Sequence, residues 1–196
     1  TREAINISKQ AEAVGANGLL CVTPYYNKCT QEGLYQYYKA ISDAVNIPII
    51  MYNVPSRTGT TIQPETAVRI AKEVKNVVAI KEASGNISAV AKLASIADGC
   101  IDIYSGNDDQ VLPILSLGGK GVISVWSHVA PKKVHDMVYA YLDGDTATAT
   151  KLQLEAINVI NALFCEVNPI PVKAAMNMLG YKAGSLRAPL TELSDE

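Results

Sequence analysis

A lysine stands at the end of a short apolar run, where a buried strand would bring it to one rim of a parallel sheet. Lys81 directly follows residues 77–80, which are valine, alanine and isoleucine. Burial disfavours a charged ammonium and lowers its pKa, which leaves free amine that can attack a carbonyl carbon and form a Schiff base. The same pattern also fits a lysine whose ammonium reaches solvent along its own stem. The residue pattern alone leaves both interpretations of Lys81 open.

A proton donor and a cation that could bind a carboxylate accompany the preceding apolar run. Tyr52, in the run at 47–54, ends the strand that precedes that of Lys81, so we expect the two strand ends to be neighbours at the same rim. Its phenol can both donate and accept a proton, as a relay requires. Arg57 follows in the loop at 55–59, and a guanidinium matches a carboxylate through two parallel hydrogen bonds. The alternatives are a tyrosine that packs its ring in the sheet and an exposed arginine without a partner.

Polar groups also follow other apolar runs of the chain. Tyr25 and Tyr26 come after a Thr-Pro pair, which favours extended backbone, so we expect their side chains to point in opposite directions. One of the two could then face the site while the other packs against a neighbour. Asp108 and Asp109 precede a short helical pattern and are typical of helix N-caps.

Apolar runs that alternate with helical patterns must position these residues. The runs begin near residues 19, 47, 77, 101 and 121, which is the spacing of strand–helix units. Valine and isoleucine dominate them, as in parallel strands that are covered by helices. After Gly144 only helical patterns remain, from about 145 to 164 and from 171 to 180. The alternation predicts an α/β fold, either an open doubly wound sheet or a barrel.

We interpret the fold as a partial (β/α)8 TIM barrel. No GxGxxG segment follows the first run, and the glycine-rich segment 118–121 precedes a strand instead of opening a helix. A whole barrel has eight strands and typically about 250 residues. We therefore expect strands 4–8 of a barrel in residues 1–142 and a C-terminal helical segment in residues 143–196. We also expect that the first three strands of the barrel and its last helix are missing from this chain.

Composition excludes several classes of function. Seventeen basic and 19 acidic residues give a net charge of −2, so no positive field would attract nucleic acid or an anionic membrane surface. No apolar stretch approaches the ~20 residues of a membrane span, and no signal pattern opens the chain. The four cysteines form no CxxC pair and the two histidines belong to no ligand cluster. We expect a cytoplasmic protein with reduced thiols, no metal and no other cofactor.

The residues that could do chemistry lie in five motifs, and together these resemble one known family. The motifs are Val22-Thr23-Pro24-Tyr25-Tyr26-Asn27, Tyr52-Asn53-Val54-Pro55-Ser56-Arg57-Thr58-Gly59, Ile80-Lys81-Glu82-Ala83-Ser84-Gly85, Ser105-Gly106-Asn107-Asp108 and Gly121-Val122-Ile123-Ser124-Val125. Their order and spacing resemble the pyruvate-dependent class I lyases of the dihydrodipicolinate synthase / N-acetylneuraminate lyase family. The resemblance covers essentially the whole chain.

The resemblance implies a reaction and a role for each matching residue. The implied reaction is a condensation of pyruvate with aspartate semialdehyde in lysine biosynthesis, in which Lys81 forms the imine and Tyr52 moves protons. Arg57 would bind the carboxylate of the semialdehyde. An arginine at this position favours the synthases over the sialate lyases. Tyr26 would continue the proton relay from the partner subunit across a dimer interface. Further implied positions are Gly106 and Ile123 in the pocket lining, and Glu3 and Tyr25 in an interface cleft where lysine inhibits some members.

One family segment has no counterpart in this sequence. The family places a glycine-threonine-threonine-glycine segment, which binds the pyruvate carboxylate, on the strands that we expect to be missing. We therefore expect the 196-residue chain to be nearly inactive alone, within a parent enzyme that is a homodimer or a dimer of dimers. The alternatives are an aldolase of the same family that acts on a sugar acid such as sialic acid, and a non-catalytic barrel fragment.

Overall fold

The computed structural model describes residues 1–194, which fold as five parallel strands with helices between and after them. In chain order the elements are α1 (Arg2–Ala13), β1 (Leu19–Val22), α2 (Gln31–Ser42), β2 (Ile49–Asn53), α3 (Pro55–Thr58), α4 (Pro64–Glu73), β3 (Val77–Glu82), α5 (Ile87–Ala97), β4 (Asp102–Ser105), α6 (Val111–Ser116), β5 (Gly121–Val122), α7 (Pro131–Leu142), α8 (Thr146–Ala162) and α9 (Ile170–Met178). Two short 3-10 turns cover Asp108–Gln110 and Trp126–His128.

The strands form a single sheet in the order β1-β2-β3-β4-β5, and every neighbouring pair is parallel. This arrangement of successive βα units confirms the predicted fold class, a partial TIM barrel. The fifth strand is shorter than the apolar run at 121–125 suggested, because only Gly121 and Val122 pair with β4. In the described part of the chain, β1 and β5 form the two edges of the sheet.

The two faces of the sheet differ sharply in burial. On one face Met51, Ile80 and Ile103 are register partners, and all are at least 95% buried in the main core. Helices α2, α4 and α5 contribute to this core and so cover that face. On the other face the next residues along the strands, Tyr52 and Lys81, are only half-buried. The site residues therefore lie on the face that these helices do not cover.

Local sequence features explain where the helices begin and how they are attached. The Thr30 hydroxyl caps α2 by accepting a hydrogen bond from the backbone N–H of Gly33 at 3.1 Å. Pro64 occupies the first turn of α4, where no intrahelical donor is needed. The buried Tyr38 of α2 donates its phenol proton to the Cys21 carbonyl at 3.0 Å, which ties the helix to β1.

A second core joins the last βα units to the C-terminal helices. It contains Val111 of α6, Met137 of α7, and Ala156 and Ile160 of α8. The division that we predicted between residues 142 and 143 stays a prediction, since this core draws on both sides of it. No helix in residues 1–194 has both the length and the apolar character needed to cross a bilayer.

Candidate active site

Lys81 lies at the carboxyl end of the central strand, on the open face of the sheet. Its register partners are Tyr52 on β2 and Tyr104 on β4, so an aromatic residue flanks it on each side. The Nζ atom lies 4.3 Å from the centroid of the Tyr52 ring. Burial lowers the pKa of the Lys81 amine, and the negative charge of Asp108 opposes part of this effect. A half-buried lysine with a lowered pKa is the group that Schiff-base chemistry needs.

The Arg57 guanidinium is close enough to Tyr52 to affect the pKa of its phenol. Burial raises the pKa of the Tyr52 phenol, and the Arg57 guanidinium acts in the opposite direction. Arg57 is exposed, and its Nη2 donates a hydrogen bond to the carbonyl of Asn168 at 3.1 Å. The segment that carries Arg57 is one helical turn, α3, where we expected a loop. This turn directs Arg57 towards the connection between α8 and α9.

Gly106 and Ile123 lie at the ends of the next two strands. The N–H of Gly106 donates to the Glu82 carbonyl at 2.7 Å, and that of Ile123 donates to the Ser105 carbonyl at 2.9 Å. A side-chain carbon on Gly106 would lie 2.6 Å from the Cβ of Ala83 and 3.1 Å from the Cε of Lys81. A side chain at position 106 would therefore clash with the Cβ of Ala83 and crowd the side chain of Lys81.

The two adjacent tyrosines after β1 differ from our expectation. Tyr26 has a left-handed backbone with φ of 64°, so the pair is not uniformly extended. Tyr25 and Tyr26 are 67% and 93% exposed, so neither side chain is buried against a neighbour. Glu3, in the first turn of α1, is exposed too, and no hydrogen bond joins it to Tyr25 in the described chain. The roles implied for these three residues stay predictions.

The sequence interpretation missed or misassigned three buried polar residues around the site. Asp108 does not cap the short helix that follows it; its Oδ2 accepts hydrogen bonds from the N–H groups of Val125 and Trp126 at 3.1 and 2.9 Å. Asn53 and Glu82, which directly follow Tyr52 and Lys81, are joined by a buried hydrogen bond. The strand alternation could have placed these two behind the site, but their contact depends on the register between strands.

Within residues 1–194, no three or more histidine, cysteine, aspartate or glutamate side chains come together as a group that could hold a metal ion. The four cysteines form no disulfide with one another. The Tyr52 phenol and the buried Asp108 carboxylate lie near Lys81, and the Arg57 guanidinium acts on Tyr52. A phenol can transfer protons, and a guanidinium can bind an anion.

The chain matches known proteins along its whole length. Residues 1–196 match the family model described as the Dihydrodipicolinate synthetase family. The chain is 54% identical over 195 residues to a 4-hydroxy-tetrahydrodipicolinate synthase of Lachnoclostridium phytofermentans, and the match covers the whole chain and 66% of that relative.

Two solved structures are similar in fold as well as in sequence. One is the chloride-inhibited dihydrodipicolinate synthase from Acinetobacter baumannii complexed with pyruvate, with a TM-score of 0.95 and 45% identity; the match covers 99% of this chain and 66% of that one. The other is the enzyme from Cyanidioschyzon merolae with lysine bound, with a TM-score of 0.96 and 39% identity over the same shares, 99% and 66%. The chain thus spans about two thirds of the length of these relatives. On the family match and these similarities, the chain belongs to the dihydrodipicolinate synthetase family.

Proposed function

We propose that this chain carries the imine-forming part of a 4-hydroxy-tetrahydrodipicolinate synthase, which condenses pyruvate with L-aspartate 4-semialdehyde. The placement of Lys81 beside Tyr52 is the observation that carries the proposal, since a partly buried amine lies 4.3 Å from a phenol ring. The relative with 54% identity is named for this activity, and a similar structure contains pyruvate.

The first step joins Lys81 to pyruvate. The free amine attacks the carbonyl carbon of pyruvate, and the oxygen leaves as water, which gives a protonated imine. The imine nitrogen draws electrons from the neighbouring carbon, so a methyl proton is lost and an enamine forms. The enamine carbon then attacks the aldehyde of the semialdehyde, whose oxygen takes up a proton. The amino group of the second substrate finally displaces Lys81 and closes the ring.

Tyr52 and Arg57 serve different parts of this sequence. Tyr52 moves protons to and from the departing oxygen and the aldehyde oxygen, for which its phenol is suited. Arg57 binds the carboxylate of the semialdehyde; its exposed guanidinium then exchanges part of its contact with the Asn168 carbonyl for the substrate. Gly106 and Ile123 line the pocket through their backbone groups.

The remaining parts of the proposal concern assembly and regulation. Tyr26 reaches into the site of a partner subunit in a homodimer or a dimer of dimers, which accounts for its 93% exposure in the single chain. Glu3 and Tyr25 contribute to a cleft for lysine, in line with the lysine-bound relative. The protein acts in the cytoplasm. The sequence contains no glycine-threonine-threonine-glycine segment, so we expect the chain alone to condense little substrate.

Reductive trapping tests the proposal directly. The chain is incubated with pyruvate and borohydride, and its intact mass and a peptide map locate any adduct. We expect one reduced pyruvate adduct on Lys81, its loss in Lys81→Ala, and its full retention in Lys120→Ala, which changes an exposed lysine. Absence of an adduct on the wild-type chain, or labelling spread over surface lysines, would contradict the proposal and favour a non-catalytic fragment.

Substrate choice is tested in assays of the parent enzyme. We expect turnover with aspartate semialdehyde and none with sialic acid. Replacement of Arg57 by an uncharged residue should mainly damage use of the semialdehyde and should leave imine formation largely intact. Turnover of sialic acid alone would overturn the assignment within the family while leaving the imine chemistry of Lys81 in place.

A further inference from the structure

A buried carboxylate lies directly behind the proposed imine lysine. Glu82 follows Lys81 on β3, and its side chain points to the helix-covered face, where it is 5% exposed. Among the described residues it forms no salt bridge with a lysine, arginine or histidine. A buried carboxylate without a cation is costly unless hydrogen bonds satisfy it. Its partners therefore show what keeps it there.

Asn53 and one backbone amide satisfy this carboxylate. Asn53 Nδ2 donates to Glu82 Oε2 at 2.8 Å, and the Ser84 N–H donates to Glu82 Oε1 at 2.7 Å. Asn53 is 2% exposed, and its own Oδ1 accepts from the Ile62 N–H at 3.0 Å. We call Asn53 and Glu82 the clamp pair. The pair joins the carboxyl ends of β2 and β3 and also holds the chain that follows each strand.

The clamp pair is one residue beyond the reactive pair on both strands. Asn53 and Glu82 are register partners, as are Tyr52 and Lys81. Because side chains alternate between faces, the clamp on one face fixes the strand ends that aim Tyr52 and Lys81 on the other. The β2–β3 register shifts between Ile49 and Ile50 and is regular from Ile50 to Asn53, and the clamp pair is a side-chain contact at the far end of this regular stretch.

Packing beside the clamp pair is incomplete. A cavity of about 320 Å³ lies beside the clamp pair, against the start of α4 and α5, and Ile62, Ser84 and Leu93 contribute to its lining. Close-packed side chains normally resist shifts of strands, and the cavity interrupts that packing on this side of the pair. Directed hydrogen bonds, one from the Ala83 N–H to the Asn53 carbonyl and one within the clamp pair, therefore supplement packing at these strand ends.

We infer that Asn53 and Glu82 are positioning residues that hold Lys81 beside Tyr52 for imine formation. The inference rests on the proposed function and assigns the pair no contact with substrate. Small displacements of reacting groups reduce rates strongly, by as much as 100-fold for a shift of about 1 Å. Damage to the clamp should consequently slow the chemistry of Lys81 more than it unfolds the chain.

A swap of the two side chains provides the test. In Asn53→Asp two carboxylates face each other. In Glu82→Gln the two side-chain amides either point their NH₂ groups at each other, or the new glutamine turns round and the Ser84 N–H loses its acceptor. In the double variant the introduced glutamine donates to the introduced aspartate and still accepts from the Ser84 N–H. The introduced aspartate also still accepts from the Ile62 N–H. The double variant therefore restores every hydrogen bond of the clamp in reversed orientation.

We expect each single variant to slow borohydride-dependent trapping of pyruvate on Lys81 by about 10-fold or more, and the double variant to recover most of the rate. Asn86→Asp is the matched control, because it adds the same charge beside the same cavity at an exposed helix cap. It should leave the rate unchanged. Unfolding temperature is measured in parallel, and rates are compared at temperatures where each variant is folded.

Equal rates per folded molecule in the wild type and the single variants would overturn the inference and leave the pair a purely structural contact. Slow trapping in the double variant with a normal unfolding temperature would also overturn it.

If the wild type traps no pyruvate, the proposed function fails instead. The pH midpoint for acetylation of Lys81 by acetic anhydride then tests the clamp. Release of the strand ends should raise this midpoint in both single variants and not in the double, whereas the changed charges alone would move it in opposite directions in the two single variants.

Discussion

The two faces of the β-sheet use neighbouring residues for opposite purposes. Ile80 is 1% exposed in the main core, whereas Lys81, the next residue, is half-buried on the open face. On β2, Met51 is fully buried and Tyr52 is half-buried in the same way. One face stabilises the fold by excluding water from apolar side chains, and the other holds polar side chains at a partly hydrated surface.

The comparison shows how a strand separates stability from chemistry. A residue that faces the helices contributes to the free energy of unfolding, and its neighbour is free to carry a group whose burial is unfavourable. The burial of Lys81 is partial, yet it lowers the pKa of the amine although the negative charge of Asp108 acts against it. The two faces remain coupled through the clamp pair, which lies at the point where both strands end.

The largest effect should follow from removing one hydroxyl on the open face. Tyr52→Phe keeps the ring near the Lys81 amine but deletes the proton donor, so trapping of pyruvate should slow by about 10²–10⁴-fold. Tyr104→Phe is the matched control, since this tyrosine flanks Lys81 from β4. We expect its rate to stay near that of the wild type, measured by mass spectrometry over time. An equal loss in both variants would remove the special role of Tyr52.

The strands could be predicted from the sequence because the strands of a parallel sheet covered by helices appear as short, continuous apolar runs between longer helical patterns. The sequence also predicted that Tyr52 and Lys81 end adjacent strands, and the register confirms that they are partners. It failed at Asp108, because an aspartate before a helical pattern is usually a cap, and only the tertiary fold brings the Val125 N–H to it. Single-residue conformations, such as the left-handed Tyr26, are likewise set by the folded loop.

Two adjacent residues of β2 can test the difference in stability between the faces. Met51→Ala should lower the free energy of unfolding by about 2–5 kcal/mol, because it leaves a cavity in the main core. Ile50→Ala should cost less than about 1.5 kcal/mol, since Ile50 is half-buried on the open face. Chemical denaturation of both variants measures the difference. Equal losses would show that the open face is covered in solution, for instance by association of chains.

The smallest effect concerns the charge that acts on Lys81 from the segment after β4. The negative charge of buried Asp108 raises the pKa of Lys81 against the larger effect of burial. Asp108→Asn removes the charge, and its amide oxygen can still accept from Val125 and Trp126. The pH midpoint for acetylation of Lys81 should therefore move lower, further from that of an ordinary lysine near 10.4. Trapping of pyruvate should reach its plateau at a correspondingly lower pH.

Asp109→Asn separates this effect from a general change in net charge. Asp109 is adjacent and exposed, so water and salt screen its charge, and the pH midpoint of Lys81 should not move.

The lowered pKa of Lys81 also affects the stability of the fold. Because the pKa of Lys81 is lower in the folded chain than in the unfolded chain, the charge of Lys81 destabilises the fold at neutral pH. This destabilisation disappears as the pH rises past the pKa of Lys81 in the unfolded chain. Lys81→Met should therefore raise the unfolding temperature slightly at pH 7 and leave it unchanged at high pH. A lower unfolding temperature of Lys81→Met at pH 7 would mean that the fold stabilises the charged form of Lys81. The open face would then disfavour the free amine that imine formation needs.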